Sequence, residues 1–164
     1  MTLEVRKFGD PVLKSRTAPV EEFDESLSRL AEDMLKTMRD YEGVGLAANQ
    51  VGRLKRILVA ALEDQEYVIV NPDIQQTSET SEADNEGCLS IPGVNVEIER
   101  PTSITVTGYD TSGNPLQIEA EGLLARIIQH EVDHLDGVTI LDRTDRESRK
   151  AAMRELRERL VARK

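Results

Sequence analysis

The chain has no tryptophan and only two phenylalanines and three tyrosines among its 164 residues, so a core must be filled by Leu, Ile, Val, Ala and Met. A single cysteine excludes an intrachain disulfide and, with it, the disulfide-stapled folds that small secreted chains use in place of a large core. The longest aliphatic run, Ile57 to Leu62, falls far short of the ~20 residues that span a bilayer. The N-terminal residues resemble neither a signal h-region nor a transit helix. The expectation is a cytoplasmic protein in a reducing compartment, away from membranes. The net charge of −10 is unevenly spread: Arg143 to Lys164 carries nine Lys/Arg against four Asp/Glu, leaving −15 on residues 1–142. An acidic body repels phosphate backbones, so DNA is not expected as a partner, whereas the basic end can meet phosphates.

The length suits one domain over residues 1–164, with 143–164 as a basic C-terminal helical segment. Asp24 reads as an N-cap, and Leu27, Leu30, Met34, Met38 and Tyr41 recur at spacings of three and four, which predicts a helix with one apolar face to about Tyr41. Gly43 to Gly52 holds too many small residues for an ordinary helix or strand and reads as a loop that approaches something closely. Ile57–Ala61 and Tyr67–Val70 read as buried strands, the second stopped by Asn71-Pro72, and residues 77–86 as a polar loop. Alternation at Val94/Val96/Ile98, Ile104/Val106/Gly108 and Leu116/Ile118/Ala120 predicts an antiparallel meander. Helical period returns over Leu123–Leu135, with Gly137 placed as a left-handed stop. A strand over Val138–Leu141 and a charged helix from about Asp145 to Arg163, with few apolar positions (Met153, Leu156, Leu160), complete the reading. Without regular βαβ alternation the class is α+β: antiparallel strands around a central metal-binding helix, with N-terminal and C-terminal helices.

His130-Glu131-Val132-Asp133-His134 sets the chain's only two histidines one helical turn apart on one face, as the two-His zinc motif does, with Glu131 placed to handle a proton. A hydrolytic metal takes a third protein ligand and keeps a position open for water. The extended zincin pattern needs another His at position 140, where this chain has Ile140. Glu155, twenty-one residues past His134, is one candidate, although its neighbours read as a charged surface helix. Cys88 is the other, set between Gly87 and the Ile91-Pro92-Gly93 turn; with two imidazoles it makes a donor set for Fe(II), Zn(II), Co(II) or Ni(II), too soft for Mg(II) or Ca(II).

Three blocks, Gly43-Val-Gly-Leu-Ala-Ala-Asn-Gln50, Glu86-Gly-Cys-Leu-Ser-Ile-Pro92 and Gln129-His-Glu-Val-Asp-His-Leu-Asp-Gly137, resemble the three signature motifs of the peptide deformylase family, in the same order. The start Phe8-Gly-Asp-Pro-Val-Leu13 is similar too, so the likeness spans nearly the whole chain. The resemblance implies Cys88, His130 and His134 as ligands of Fe(II), with Zn(II), Ni(II) or Co(II) as substitutes and water in the fourth position. It implies Glu131 as general acid/base and the Gln50 amide and Leu89 N–H as oxyanion donors. The implied reaction removes the formyl group from the formyl-methionine of nascent polypeptides, the peptide pairing with backbone near Gly43, Val44 and Gly45. Proximity to the motifs makes Val44, Leu123 and Ile127 the candidates for an apolar slot taking the Met side chain. Relatives often carry Arg near the position of Asn95, Glu86 and Arg100 are placed to pair beside the site, and the basic C-terminal helix is implied as a ribosome contact.

Overall fold

The computed structural model describes residues 1–162; Arg163, Lys164 and the side chains of Leu160, Val161 and Ala162 fall outside the described set. Helix α1 (Glu25–Asp40) begins where the sequence places it, the Asp24 carboxylate accepting the Leu27 N–H, and buries Leu27, Leu30, Met34 and Met38. There follow β1 (Gly45–Ala47), β2 (Ile57–Leu62), β3 (Gln65–Thr77), β4 (Ser81–Cys88), β5 (Ile91–Pro101), β6 (Ser103–Tyr109) and β7 (Pro115–Glu121), then α2 (Gly122–Leu135), a single helical turn α3 (Ile140–Arg143), and α4 (Arg146–Ala162). The strands form two antiparallel sheets, one of five strands in the order β1-β2-β3-β6-β7 and a separate hairpin of β4 and β5.

The five-stranded sheet lies between α1 and α2. Along β2, Ile57 and Val59 join the cluster beneath α1 with Leu27, Met34 and Met38, while Leu58 faces the opposite cluster with Ile69, Val106, Ala125 and Ile128. Both faces are covered, which is why this stretch reads as an unbroken apolar run. A third cluster sits under the hairpin: Ile91, Val94, Val96 and Ile98 of β5 pack on Ile140 and Leu141 of α3 and on Ala152 and Leu156 of α4. The charged helix thus buries a narrow stripe and presents Arg149, Lys150, Arg154 and Arg157 to solvent. At the end of α2, Gly137 adopts φ 79° and packs on the Lys14 carbonyl, a place with no room for a Cβ.

Five expectations are corrected. The strand expected to stop at Asn71-Pro72 runs on to Thr77, because register shifts between Val70 and Asp73 and Asn71 at φ 52° carry the proline through the ladder. Residues 81–86 are not loop but most of β4; Ser81 to Asn85 are exposed, so no apolar alternation marks the strand. Val138–Leu141 is not a strand: Ile140 and Leu141 are neighbours buried together in α3, a short apolar run whose period the sequence leaves ambiguous. β5 pairs with β4 and not with β6, so the meander is interrupted. The glycine-rich stretch contains β1 and a 3-10 turn over Ala48–Val51, ended by Gly52 at φ 78°.

Candidate metal centre and cleft

Helix α2 supplies two imidazoles and the hairpin supplies a thiol. The Nε2 atoms of His130 and His134 lie 3.2 Å apart, Cys88 Sγ lies 3.2 Å from His134 Nε2, and the three donor atoms sit within 4.8 Å of one another. Donors ~2.0–2.3 Å from one tetrahedral ion stand roughly 3.3–3.6 Å apart, so the triad fits a single divalent ion. Burial raises the Cys88 pKa, yet the His134 and His130 rings beside it hold the thiol well below its ordinary value, which favours the thiolate that ligation requires. Glu155 is elsewhere, ion-paired to Arg159 at 3.1 Å on the half-exposed side of α4.

A buried charge network backs His130. Its Nδ1 lies 2.9 Å from Glu86 Oε1, leaving Nε2 for the ion. Arg100 donates to both Glu86 oxygens, at 2.6 and 2.9 Å, so the expected ion pair is formed. Arg126 Nη1 donates to Glu86 Oε2 at 2.6 Å, and Arg100 Nη1 reaches Asp133 Oδ2 at 2.9 Å, which Arg143 grips from the other side with two bonds. Burial alone would raise the Glu86 pKa, but the hydrogen bonds and charges of His130 and Arg100 bring it down to about 2. Arg126, Asp133 and Arg143 escape the sequence reading. The available signal was Asp133 itself, a carboxylate inside a helical face that must be buried and therefore must find cations.

The triad opens into a cleft of about 570 Å³ lined by Gly43, Val44, Gly45, Gln50, Cys88, Leu89, Leu123, Ile127, His130 and Glu131. Of the slot candidates, Ile127 is 5% exposed and forms a wall, whereas Val44 at 52% and Leu123 at 54% stand at the mouth. Glu131 is buried with its Oε1 unpartnered among the described residues, and burial pushes its carboxyl above the ordinary value against the pull of the two imidazoles. Gln50 turns its Oε1 to the Ala47 N–H at 2.9 Å, and its amide Nε2 points to Ser90 Oγ at 3.2 Å and Cys88 Sγ at 3.5 Å. Ser90, fully buried, is a second contact the sequence reading missed.

The polypeptide deformylase family model matches residues 2–150. The chain belongs to this family. A peptide deformylase of Corynebacterium glutamicum is 53% identical over 154 residues, covering 92% of this chain and 91% of that protein. The crystal structure of a peptide deformylase from Legionella pneumophila matches with a TM-score of 0.92 at 40% identity, over 100% of this chain and 99% of that one. The peptide deformylase of Synechococcus elongatus, solved in complex with actinonin, matches with a TM-score of 0.89 at 42% identity, over 93% of this chain and 85% of that one. The chain is therefore a peptide deformylase, a metal-dependent hydrolase that removes the N-terminal formyl group from polypeptides. In this deformylase Cys88, His130 and His134 are the group that could hold a metal ion, and no helix among the described residues is long and apolar enough to cross a membrane.

Proposed function

We propose that Cys88, His130 and His134 hold an Fe(II) ion, that Glu131 is the general acid/base, and that the Gln50 amide and Leu89 N–H receive the oxyanion when formyl-methionine of a nascent chain is deformylated. The observation that carries the reading is the convergence of the three donor atoms with a buried, unpartnered Glu131 oxygen on one cleft. A divalent ion held by that triad would supply a Lewis acid and would lower the pKa of water toward ~7. Glu131 takes the proton of the attacking water and returns it to the departing amine, a transfer for which a carboxyl raised by burial is better matched than an ordinary one. Gln50, its Oε1 fixed by Ala47, aims its amide where negative charge develops.

The Met side chain enters beside Ile127, with Val44 and Leu123 at the mouth. The peptide backbone pairs along Gly43, Val44 and Gly45: β1 is an edge strand of the five-stranded sheet, so one side of its backbone is free to accept an extended chain. Asn95 lies across the ladder from Gly87, which lines the cleft. Residues 1–164 act as one catalytic unit in the cytoplasm; the basic segment 143–164 contacts ribosomal RNA, and DNA is not a partner. Zn(II), Ni(II) or Co(II) substitute for iron.

The test is release of formate from formyl-Met-Ala-Ser by anaerobically iron-loaded protein. Glu131→Gln should retain the metal and lose a factor of ~10² or more in kcat, because the amide cannot shuttle a proton. Cys88→Ala should lose metal and activity together. Near wild-type turnover by Glu131→Gln, or full metal content in Cys88→Ala, overturns the assignment.

A further inference from the structure

The two proposed oxyanion donors lie in turns that follow strands of different sheets. Gln50 lies in the 3-10 turn after β1, and Leu89 lies in the turn of the β4–β5 hairpin, whose register slips between Gly87 and Cys88. A two-stranded hairpin supports itself poorly, and beside the direct contacts of the Gln50 amide with Ser90 and Cys88 a third segment touches both donors' turns. Three consecutive residues ahead of α1, Arg6 to Phe8, do so. The Arg6 N–H donates to the Gln50 carbonyl at 2.7 Å and the Phe8 N–H to the Ser90 carbonyl at 2.8 Å. Between them, Lys7 Nζ donates to the Leu89 carbonyl at 3.3 Å.

The Lys7 side chain does not simply trail into water. Its ammonium lies 5.3 Å from the centroid of the Tyr41 ring at the end of α1, and the residue forms part of the cleft wall. A flexible side chain is thus tethered at two points, a carbonyl and an aromatic face. Beside the segment, Val5 is buried in the cluster under α1, which anchors the three residues to the body of the molecule. Successive carbonyls of the hairpin turn, Leu89 and Ser90, are therefore pinned to the same segment that pins Gln50.

We propose that Arg6–Phe8 is a clasp that fixes the spacing of the Gln50 amide and the Leu89 N–H, with Lys7 as the positioning residue that seats the Leu89 turn. The inference rests on the oxyanion roles given above. Donors contribute to the transition state in proportion to how well they are aimed, and small displacements lose much of the effect. The clasp acts on that aim and leaves the ligands of the metal untouched.

Lys7→Met keeps the aliphatic stem and removes the ammonium; Lys7→Arg restores a donor. In the metal-loaded enzyme, Lys7→Met should lower kcat on the order of tenfold at unchanged KM and metal content, and Lys7→Arg should recover most of the loss. Hydrogen exchange at residues 89–91 should quicken in Lys7→Met alone, a readout independent of turnover. Gln50→Leu is measured in parallel. Wild-type kcat in Gln50→Leu removes the oxyanion reading on which the clasp depends. An impaired Gln50→Leu beside a Lys7→Met enzyme of wild-type kcat and exchange overturns the clasp while leaving that reading in place. A Lys7→Met effect confined to KM makes Lys7 a substrate contact and overturns its positioning role.

Discussion

A Cβ on Gly45 would meet Ile127 Cγ2 at 2.9 Å and the Glu131 carboxylate carbon at 3.1 Å, so the backbone of β1 approaches Glu131, the proposed acid/base, too closely for any side chain. Gly45→Ala should therefore fold but displace Glu131, with kcat reduced by about tenfold or more and near-native circular dichroism. Glu86 is the other position where one residue carries several others. It accepts from His130, Arg100 and Arg126 at once, and its removal strands buried cations. Glu86→Ala should cost about 3–5 kcal/mol in urea unfolding and weaken metal affinity about 10–100-fold in a chelator competition, since a ligating imidazole loses the partner that orients it. At this scale the sequence is most legible for residues whose chemistry is rare: a lone Cys, two His and the Glu between them. It is least legible for Arg126, Asp133 and Arg143, since arginines and aspartates are common on solvated surfaces and only tertiary packing reveals which are buried.

Elements are legible where one face is apolar and the ends are punctuated. Helix α1 has both, and its cap supplies a pH-dependent test. The Ser26 hydroxyl and the Leu27 N–H lower the Asp24 pKa in the folded state. A carboxylate with a depressed folded pKa stabilises above its unfolded value of about 4, and the gain is lost as pH falls through the folded pKa. Asp24→Ala should therefore lower Tm at pH 7, and the gap from wild type should close as pH is taken below about 4; a constant gap would mean the cap does not act through its charge. Elements are illegible where polarity is uniform or the apolar run is short. β4 offers exposed residues along most of its length, so nothing in its pattern separates it from a loop; Ile140 and Leu141 are two adjacent apolar residues that fit a strand or a turn of helix equally. Pairing order is a further step removed, because the alternation in β5 and β6 is genuine in each strand and silent about whether they are neighbours.

Across the whole molecule the dominant asymmetry is electrostatic, a −15 body against a +5 end. The apolar stripe of α4 is spoken for by the hairpin, so the charge on its outer face is what remains for a partner. Reversing Arg149, Lys150, Arg154 and Arg157 to Glu should leave hydrolysis of short formyl peptides unchanged and abolish cosedimentation with ribosomes at low salt; unaltered cosedimentation would eliminate the contact. These substitutions test the surface more cleanly than truncation, which would uncover Ile91, Val94, Val96 and Ile98. That same packing bears on how the catalyst itself is made. Synthesis runs from N- to C-terminus, so Cys88, His130 and His134 are all polymerised before Ala152 and Leu156. Until those later residues clear the exit tunnel, the hairpin that delivers the thiol rests on Ile140 and Leu141 alone and lacks the α4 part of its floor. The hairpin that carries the thiol therefore completes its packing only once the last helix has been made.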